Sequence, residues 1–108
     1  MIEWKMLHPY QNITIEQVAW RLGYLPYFLS EADPRSVREQ FNANYKYGGW
    51  RPFPGFELMT DNSLVYPNDP PIYPLAEAKL RDELILLYHH DWVAVIQPDR
   101  SFEVCRMD

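Results

Sequence analysis

The sequence predicts an α+β fold in which two or three helices pack on an antiparallel sheet of about four strands. Short amphipathic segments with helix-start and helix-stop residues occupy the first half of the chain. Short apolar segments joined by turn residues occupy the second half. The length of 108 residues is that of one domain, so we expect residues 1–108 to form a single α+β domain.

The first predicted helix covers residues 15–22. Thr14 and Gln17 have the spacing of a capping box, and Gly23 is a typical residue at a helix end. Ile15, Val18 and Leu22 share one helical face, which predicts that the helix packs on a core.

The second predicted helix runs from Pro34 to about Tyr47. Asp33 before Pro34 is a strong helix start, because an aspartate caps free N–H groups and a proline needs no N–H in the first turn. Apolar residues recur every four positions and are expected to face the core: Val37, Phe41 and Tyr45. Another face is basic and polar: Arg35, Arg38, Asn42 and Lys46. Gly48-Gly49 is expected to end the helix.

Two β-hairpins are predicted in the second half of the chain. One covers residues 56–66 with its turn at 60–62, and the other covers residues 92–106 with its turn at 98–100. In the last strand Phe102 alternates with Glu103, so we expect one face of that sheet to be in contact with water.

Residues 75–88 admit two interpretations. Five apolar residues lie on one side of a helix: Ala76, Leu80, Leu84, Leu87 and Tyr88. Residues 84–88 alone also fit a buried strand. We prefer the helix. The preceding segment, 67–74, contains four prolines and is expected to be irregular.

Composition and charge exclude several classes of function. The net charge is −5, and residues 52–108 hold four basic against ten acidic residues, which argues against nucleic acid as a partner. The start of the chain has no leader pattern, no apolar run is long enough to span a membrane, and the single cysteine, Cys105, forms no internal disulfide. We therefore expect a cytoplasmic protein without membrane association.

The segment 45–56 is the best candidate for a binding site, because five aromatic residues, three glycines and two prolines occur in twelve positions. Two interpretations remain: a loop that caps the core, or a recognition surface. The candidate binding residues come from this loop and from the basic helix face: Trp50, Arg51, Phe53, Phe56, Arg35, Arg38 and Lys46.

Catalytic and cofactor signatures are weak. His89-His90-Asp91 is the one cluster with metal-ligand residue types, but neighbouring side chains diverge, so no metal and no cofactor are predicted. Cys105 has no flanking glycine and no predicted helix N-terminus beside it, so we expect a packing residue and not a reactive thiol. Residues 70–73, Pro-Pro-Ile-Tyr, have the form of a ligand for a WW domain and fit equally a rigid linker.

Two stretches resemble small uncharacterised proteins of tailed-phage and prophage genomes. They are residues 38–53, from Arg-Glu-Gln-Phe-Asn-Ala-Asn-Tyr to Gly-Gly-Trp-Arg-Pro-Phe, and residues 92–108, which begin Trp-Val-Ala-Val-Ile-Gln-Pro-Asp. These two stretches carry the resemblance, which extends over about half of the chain. It implies a bacterial or phage cytosolic setting, in which small acidic accessory proteins bind and inhibit host machinery, and it carries over no catalytic motif.

The sequence therefore predicts a small cytosolic, non-enzymatic binding protein, a phage or prophage accessory factor that contacts or inhibits a host protein. One alternative is a small enzyme with its site near His89 and His90. Another is a local nucleic-acid-binding module, in which the basic helix and the loop aromatics hold a single strand.

Overall fold

The computed structural model describes residues 2–7, 29–45 and 49–106; the predicted helix at 15–22 lies outside these ranges. In chain order the elements are β1 (Lys5–Met6), α1 (Val37–Asn44), β2 (Glu57–Leu58), β3 (Leu64–Val65), β4 (Pro74–Leu80), β5 (Glu83–Tyr88), a 3-10 turn (His89–Asp91), β6 (Trp92–Ile96) and β7 (Phe102–Arg106). Five strands form one antiparallel sheet in the order β1-β4-β5-β6-β7, and β2 pairs with β3 in a second sheet.

The prediction of two or three helices on a sheet of about four strands was wrong. The described residues hold one α-helix of eight residues and seven strands. The molecule is mostly antiparallel sheet. No helix in these ranges is long and apolar enough to cross a bilayer.

The largest error concerns residues 75–88, which form the β4–β5 hairpin and not a helix. Leu80 pairs with Glu83, so the turn consists of Arg81 and Asp82 alone, and Arg81 adopts a positive φ of 53°. Alanine, leucine, glutamate, lysine and arginine favour helices, and Arg-Asp is not a typical hairpin turn. Pairing with strands on both sides overrides that local preference.

Both predicted hairpins are confirmed. β2 and β3 pair around residues 59–63, and β6 pairs with β7 over five positions, from Trp92 with Arg106 to Ile96 with Phe102. The first hairpin is shorter than predicted, with two residues in each strand.

Both faces of the five-stranded sheet are buried. Alternate residues of β5 enter different clusters, with Ile85 and Leu87 on one face and Leu86 and Tyr88 on the other. The helix-side cluster includes Val37, Phe41, Trp50, Ile85, Leu87 and Cys105. The hairpin-side cluster includes Leu64, Leu86, Tyr88, Ala94, Ile96 and Val104, with Phe56, Leu58 and Trp92 packed against it. The expectation of one wet face was wrong, because Cys105 is fully buried.

Helix α1 covers the helix-side cluster through the face that the sequence predicts. Val37 and Phe41 are buried, and Tyr45 packs beside them. The helix begins three residues later than predicted. Ser36 is the N-cap and forms a capping box with Glu39. This places the cap next to the helix-side core.

A buried glutamine holds the chain that enters the helix. The side chain of Gln40 is fully buried and accepts the N–H of Ser30 at 2.9 Å. Its amide group donates to the carbonyl oxygens of Ser30, Asp33 and Arg35. Because a buried amide needs its hydrogen bonds satisfied, these contacts define the conformation of residues 30–35.

Candidate functional site

The loop 49–56 runs along the outer side of β7, the last strand of the sheet. Pro52 forms an isolated bridge with Cys105. The N–H of Phe53 donates to the carbonyl oxygen of Val104 at 2.6 Å. These contacts fix the middle of the loop to the backbone of β7.

The two ends of the loop lie on opposite faces of the sheet. Trp50 belongs to the helix-side cluster, whereas Phe56 packs against the hairpin-side cluster. Gly49 and Gly55 have φ angles of 76° and 103°, which side chains other than glycine rarely adopt. A Cβ atom at Gly55 would lie 2.8 Å from the ring of Tyr66, so this position also needs the missing side chain.

Trp50 is a core residue with 5% of its surface exposed. Its ring stands perpendicular to that of Phe41, with centroids 5.6 Å apart. Its backbone N–H donates to the side-chain oxygen of Asn42, which joins the loop to helix α1. For Trp50 the structure therefore fits the core-capping interpretation.

Phe53 fits the interpretation of the loop as a recognition surface, because 42% of its surface is exposed. It belongs to an aromatic cluster of four rings: Phe53, Phe56, Tyr66 and Trp92. The centroids of Phe53 and Phe56 each lie 4.9 Å from that of Trp92, and Phe56 lies 5.0 Å from Tyr66. Tilted and edge-to-face rings at these distances attract one another, so Phe53 is held in a fixed position on the surface.

A groove of about 520 Å³ lies beside the aromatic cluster. Trp92 belongs to the cluster and also lines the groove. Residues 69–73, His89 and Arg106 line it together with Trp92. The guanidinium carbon of Arg106 lies 5.5 Å from the centre of the Trp92 ring, a cation–π geometry. The volume and the apolar walls with few polar groups are typical of ligand grooves.

Two of the predicted basic residues are paired with acids. Arg35 contacts the carboxylate of Asp33 at 2.7 Å, and this hydrogen bond lowers the pKa of Asp33 and raises that of Arg35. Arg38 reaches across to Glu103 of β7 at 3.1 Å. Their positive charges are therefore offset, and the helix does not present them as a basic strip.

The remaining predicted binding residues are not gathered at one place. Arg51 is exposed beside Pro52, while Lys46 lies outside the described residues. Phe53 and Phe56 meet on the hairpin side, and the ion pair of Arg38 with Glu103 lies on the helix side.

The histidine and cysteine candidates occupy different environments. His89 lines the groove at the start of the 3-10 turn, and the side chain of His90 lies outside the described part of the structure. Cys105 is buried beneath the loop, and burial raises the pKa of its thiol, which disfavours the reactive thiolate. The described residues contain no group of three or more metal-ligand side chains.

The sequence interpretation missed Tyr66 and Trp92 as members of the site. Trp92 opens β6 and Tyr66 follows β3, so each was assigned only to a strand. The one signal in the sequence was that each is a large aromatic residue at an end of its strand, next to the loop that follows or precedes it.

In comparisons with known proteins, the chain matches no family model, no curated protein and no solved structure.

Proposed function

We propose that this chain is a non-enzymatic binding protein whose contact surface is the aromatic cluster with the adjacent groove. In the setting that the sequence resemblance implies, it acts in the bacterial cytoplasm as a phage or prophage accessory factor that binds a host protein. The observation that carries the proposal is Phe53, which is 42% exposed although three other rings fix its position.

A ring held in this way suits protein recognition. Little side-chain entropy is lost on binding, because the packed neighbours already restrict the rotamers of Phe53. Aromatic residues surrounded by apolar contacts are enriched among the residues that dominate binding energy. The groove beyond Trp92 accommodates an apolar side chain of the partner next to the exposed ring.

The test compares capture of host proteins by three forms of the chain: wild type, Phe53→Ala and Met59→Ala. Met59 is a matched control, because it is 38% exposed and stands outside the aromatic cluster. We expect one host protein to be captured by wild type and by Met59→Ala but lost with Phe53→Ala.

A photo-crosslinking amino acid at position 53 then shows whether the captured protein touches this surface. Crosslinking at 53 and none at 59 supports direct contact. A partner captured equally by all three forms contradicts the assignment of the surface. Loss of capture by Phe53→Ala counts in favour of the proposal only when a melting curve shows that this variant is folded at the capture temperature.

A further inference from the structure

A second cavity, of about 390 Å³, lies at the opposite end of β6 from Trp92. Two hairpin turns border it, Arg81–Asp82 between β4 and β5 and residues 97–101 between β6 and β7. The turns are neighbours because Leu84 of β5 pairs with Ile96 of β6. These two apolar residues also line the cavity.

The lining of this cavity is basic in an acidic protein. Lys79, Arg81 and Arg100 line it together with one acid, Asp82, whereas the whole chain carries a net charge of −5. Asp99, in the adjoining turn, already accepts hydrogen bonds from the N–H and hydroxyl of its neighbour Ser101. The cavity therefore has an excess of two positive charges among its lining residues.

The guanidinium of Arg100 is held in place by neutral oxygens. It donates to the side-chain oxygen of Asn62 at 2.9 Å and to the carbonyl oxygen of Met59 at 3.0 Å. These bonds orient the group and leave its charge uncompensated, and a guanidinium has five N–H donors, of which they use two. Lys79, across the cavity, is exposed and adds a mobile ammonium group.

Arg81 contributes mainly its positive charge to the electrostatic field in the cavity. Its guanidinium donates to the carbonyl oxygens of Glu31 and Asp33, so it is turned toward the start of helix α1. Its charge also helps to lower the pKa of Asp33. Lys79 and Arg100 are therefore the residues suited to direct contact with an anion.

We propose that this cavity binds the phosphate group of a small organic phosphate, with Lys79 and Arg100 as its ligands. A preoriented guanidinium and an ammonium group match the acceptors of a phosphate. The apolar floor of Leu84 and Ile96 takes the organic part of the molecule. This site is separate from the proposed protein-binding surface and does not depend on it.

The test uses inorganic phosphate and phenyl phosphate as probes, at an ionic strength held constant with sodium chloride. Binding is followed by chemical-shift changes in ¹H–¹⁵N NMR spectra. We expect saturable shifts confined to the two turns, and tighter binding of phenyl phosphate than of inorganic phosphate, because the ring adds contacts on the floor.

Three variants and one matched control decide the assignment. Lys79→Gln is expected to weaken binding about tenfold, since one charge-assisted hydrogen bond contributes about 1.5 kcal/mol. Arg100→Lys keeps the charge and is expected to weaken it less than Arg100→Gln. Lys5→Gln, an exposed lysine on β1, is the control and should bind as wild type.

Shifts that do not saturate, or that spread over the whole surface, overturn the proposal. So does equal affinity of wild type and Lys79→Gln, a variant at an exposed position that does not affect folding. If phenyl phosphate binds no more tightly than inorganic phosphate, the apolar floor does not contact the organic part of a ligand. The site then binds only the free phosphate ion, which contradicts the proposal of a small organic phosphate.

Discussion

Glu83 of β5 accepts the backbone N–H of Val37, the first residue of helix α1, at 3.0 Å. Its second carboxylate oxygen accepts the side-chain amide of Gln97 at 2.9 Å. A negative charge at a helix N-terminus is favourable, because the free N–H groups there carry partial positive charge. Glu83 therefore joins the helix, strand β5 and the turn that follows β6 through one side chain.

Replacing Glu83 by Ala is expected to lower the free energy of unfolding by about 1–3 kcal/mol, because it leaves the donors of Val37 and Gln97 without their partner. Glu83→Gln keeps an oxygen at this position and should lose less. Urea denaturation of the two variants measures the difference. No loss in Glu83→Ala would show that the hydrogen bonds contribute nothing, and equal losses in both variants would show that the retained amide oxygen does not replace the carboxylate.

Ser36→Ala is expected to destabilise the protein by about 0.5–2 kcal/mol, because the N-cap accepts the N–H of Glu39. Asp33→Ala should cost less than Ser36→Ala, since it removes an exposed ion pair with Arg35. Chemical denaturation ranks the two variants. The reverse order would place the functional helix cap at Asp33, as the sequence alone predicts.

Acid should remove stability through two carboxylates whose pKa values are lowered in the folded state. Asp33 is bonded by Arg35 and Asp99 by Ser101, and these hydrogen bonds lower both pKa values from 3.8. A depressed pKa stabilises the fold above the unfolded value, and this stability is lost as the pH falls through the folded value. We therefore expect the free energy of unfolding to decrease below about pH 4.

The double variant Asp33→Asn, Asp99→Asn tests this assignment, because its side chains do not titrate. Urea denaturation between about pH 6 and pH 2 should show a smaller loss in the variant than in wild type. If both lose the same free energy, other carboxylates account for the acid sensitivity.

Trp50 and Phe53 are expected to differ sharply in their effect on stability. Trp50→Ala empties a buried position and should cost about 3–5 kcal/mol. Phe53→Ala should cost about 1 kcal/mol, because its ring is partly exposed and its contacts are aromatic pairs. Thermal and urea denaturation measure both, and similar losses would contradict the separation of core and surface in this loop.

Trp50→Phe is the control for the core position. The indole N–H of Trp50 has no hydrogen-bond partner within the described ranges, so phenylalanine removes a buried unpaired donor while it keeps most of the apolar volume. We expect a smaller loss of stability than for alanine.

Cys105 is expected to resist alkylation in the folded protein. Its side chain is buried, and burial raises the pKa of the thiol. Iodoacetamide at pH 8 should label the protein in denaturant within minutes and label the native protein at a rate limited by opening of the fold. Rapid labelling without denaturant, read by mass spectrometry, would show that the loop above Cys105 opens readily.

The sequence predicts the β6–β7 hairpin correctly, because apolar runs flank Pro98-Asp99-Arg100, a strong turn signal. It does not predict the β4–β5 hairpin, because Arg81 adopts its positive φ without glycine or asparagine in the turn. The sequence also does not reveal that both faces of the sheet are buried. The residues of β7, which ends in Cys105 and Arg106, resemble those of a strand with one face in contact with water.

The candidate site was only partly readable from the sequence. Trp50 and Phe53 are aromatic residues only three positions apart in the same Gly- and Pro-rich loop, yet the loop carries them to opposite faces of the sheet. Residue type alone does not distinguish a core ring from a surface ring. The partners of Phe53, Tyr66 and Trp92, come from distant strands that no local pattern connects.

The contact of Pro52 and Phe53 with β7 has a consequence for how molecules of this protein meet one another. An unpaired outer strand offers its backbone groups to the strand of another molecule and so promotes aggregation. Here the N–H of Phe53 donates to the carbonyl oxygen of Val104, so this acceptor is already hydrogen-bonded. Pro52, opposite Cys105, has no N–H that could bond to a further strand. The loop that presents the candidate binding surface thus also covers part of the β7 edge against pairing with a strand of another molecule.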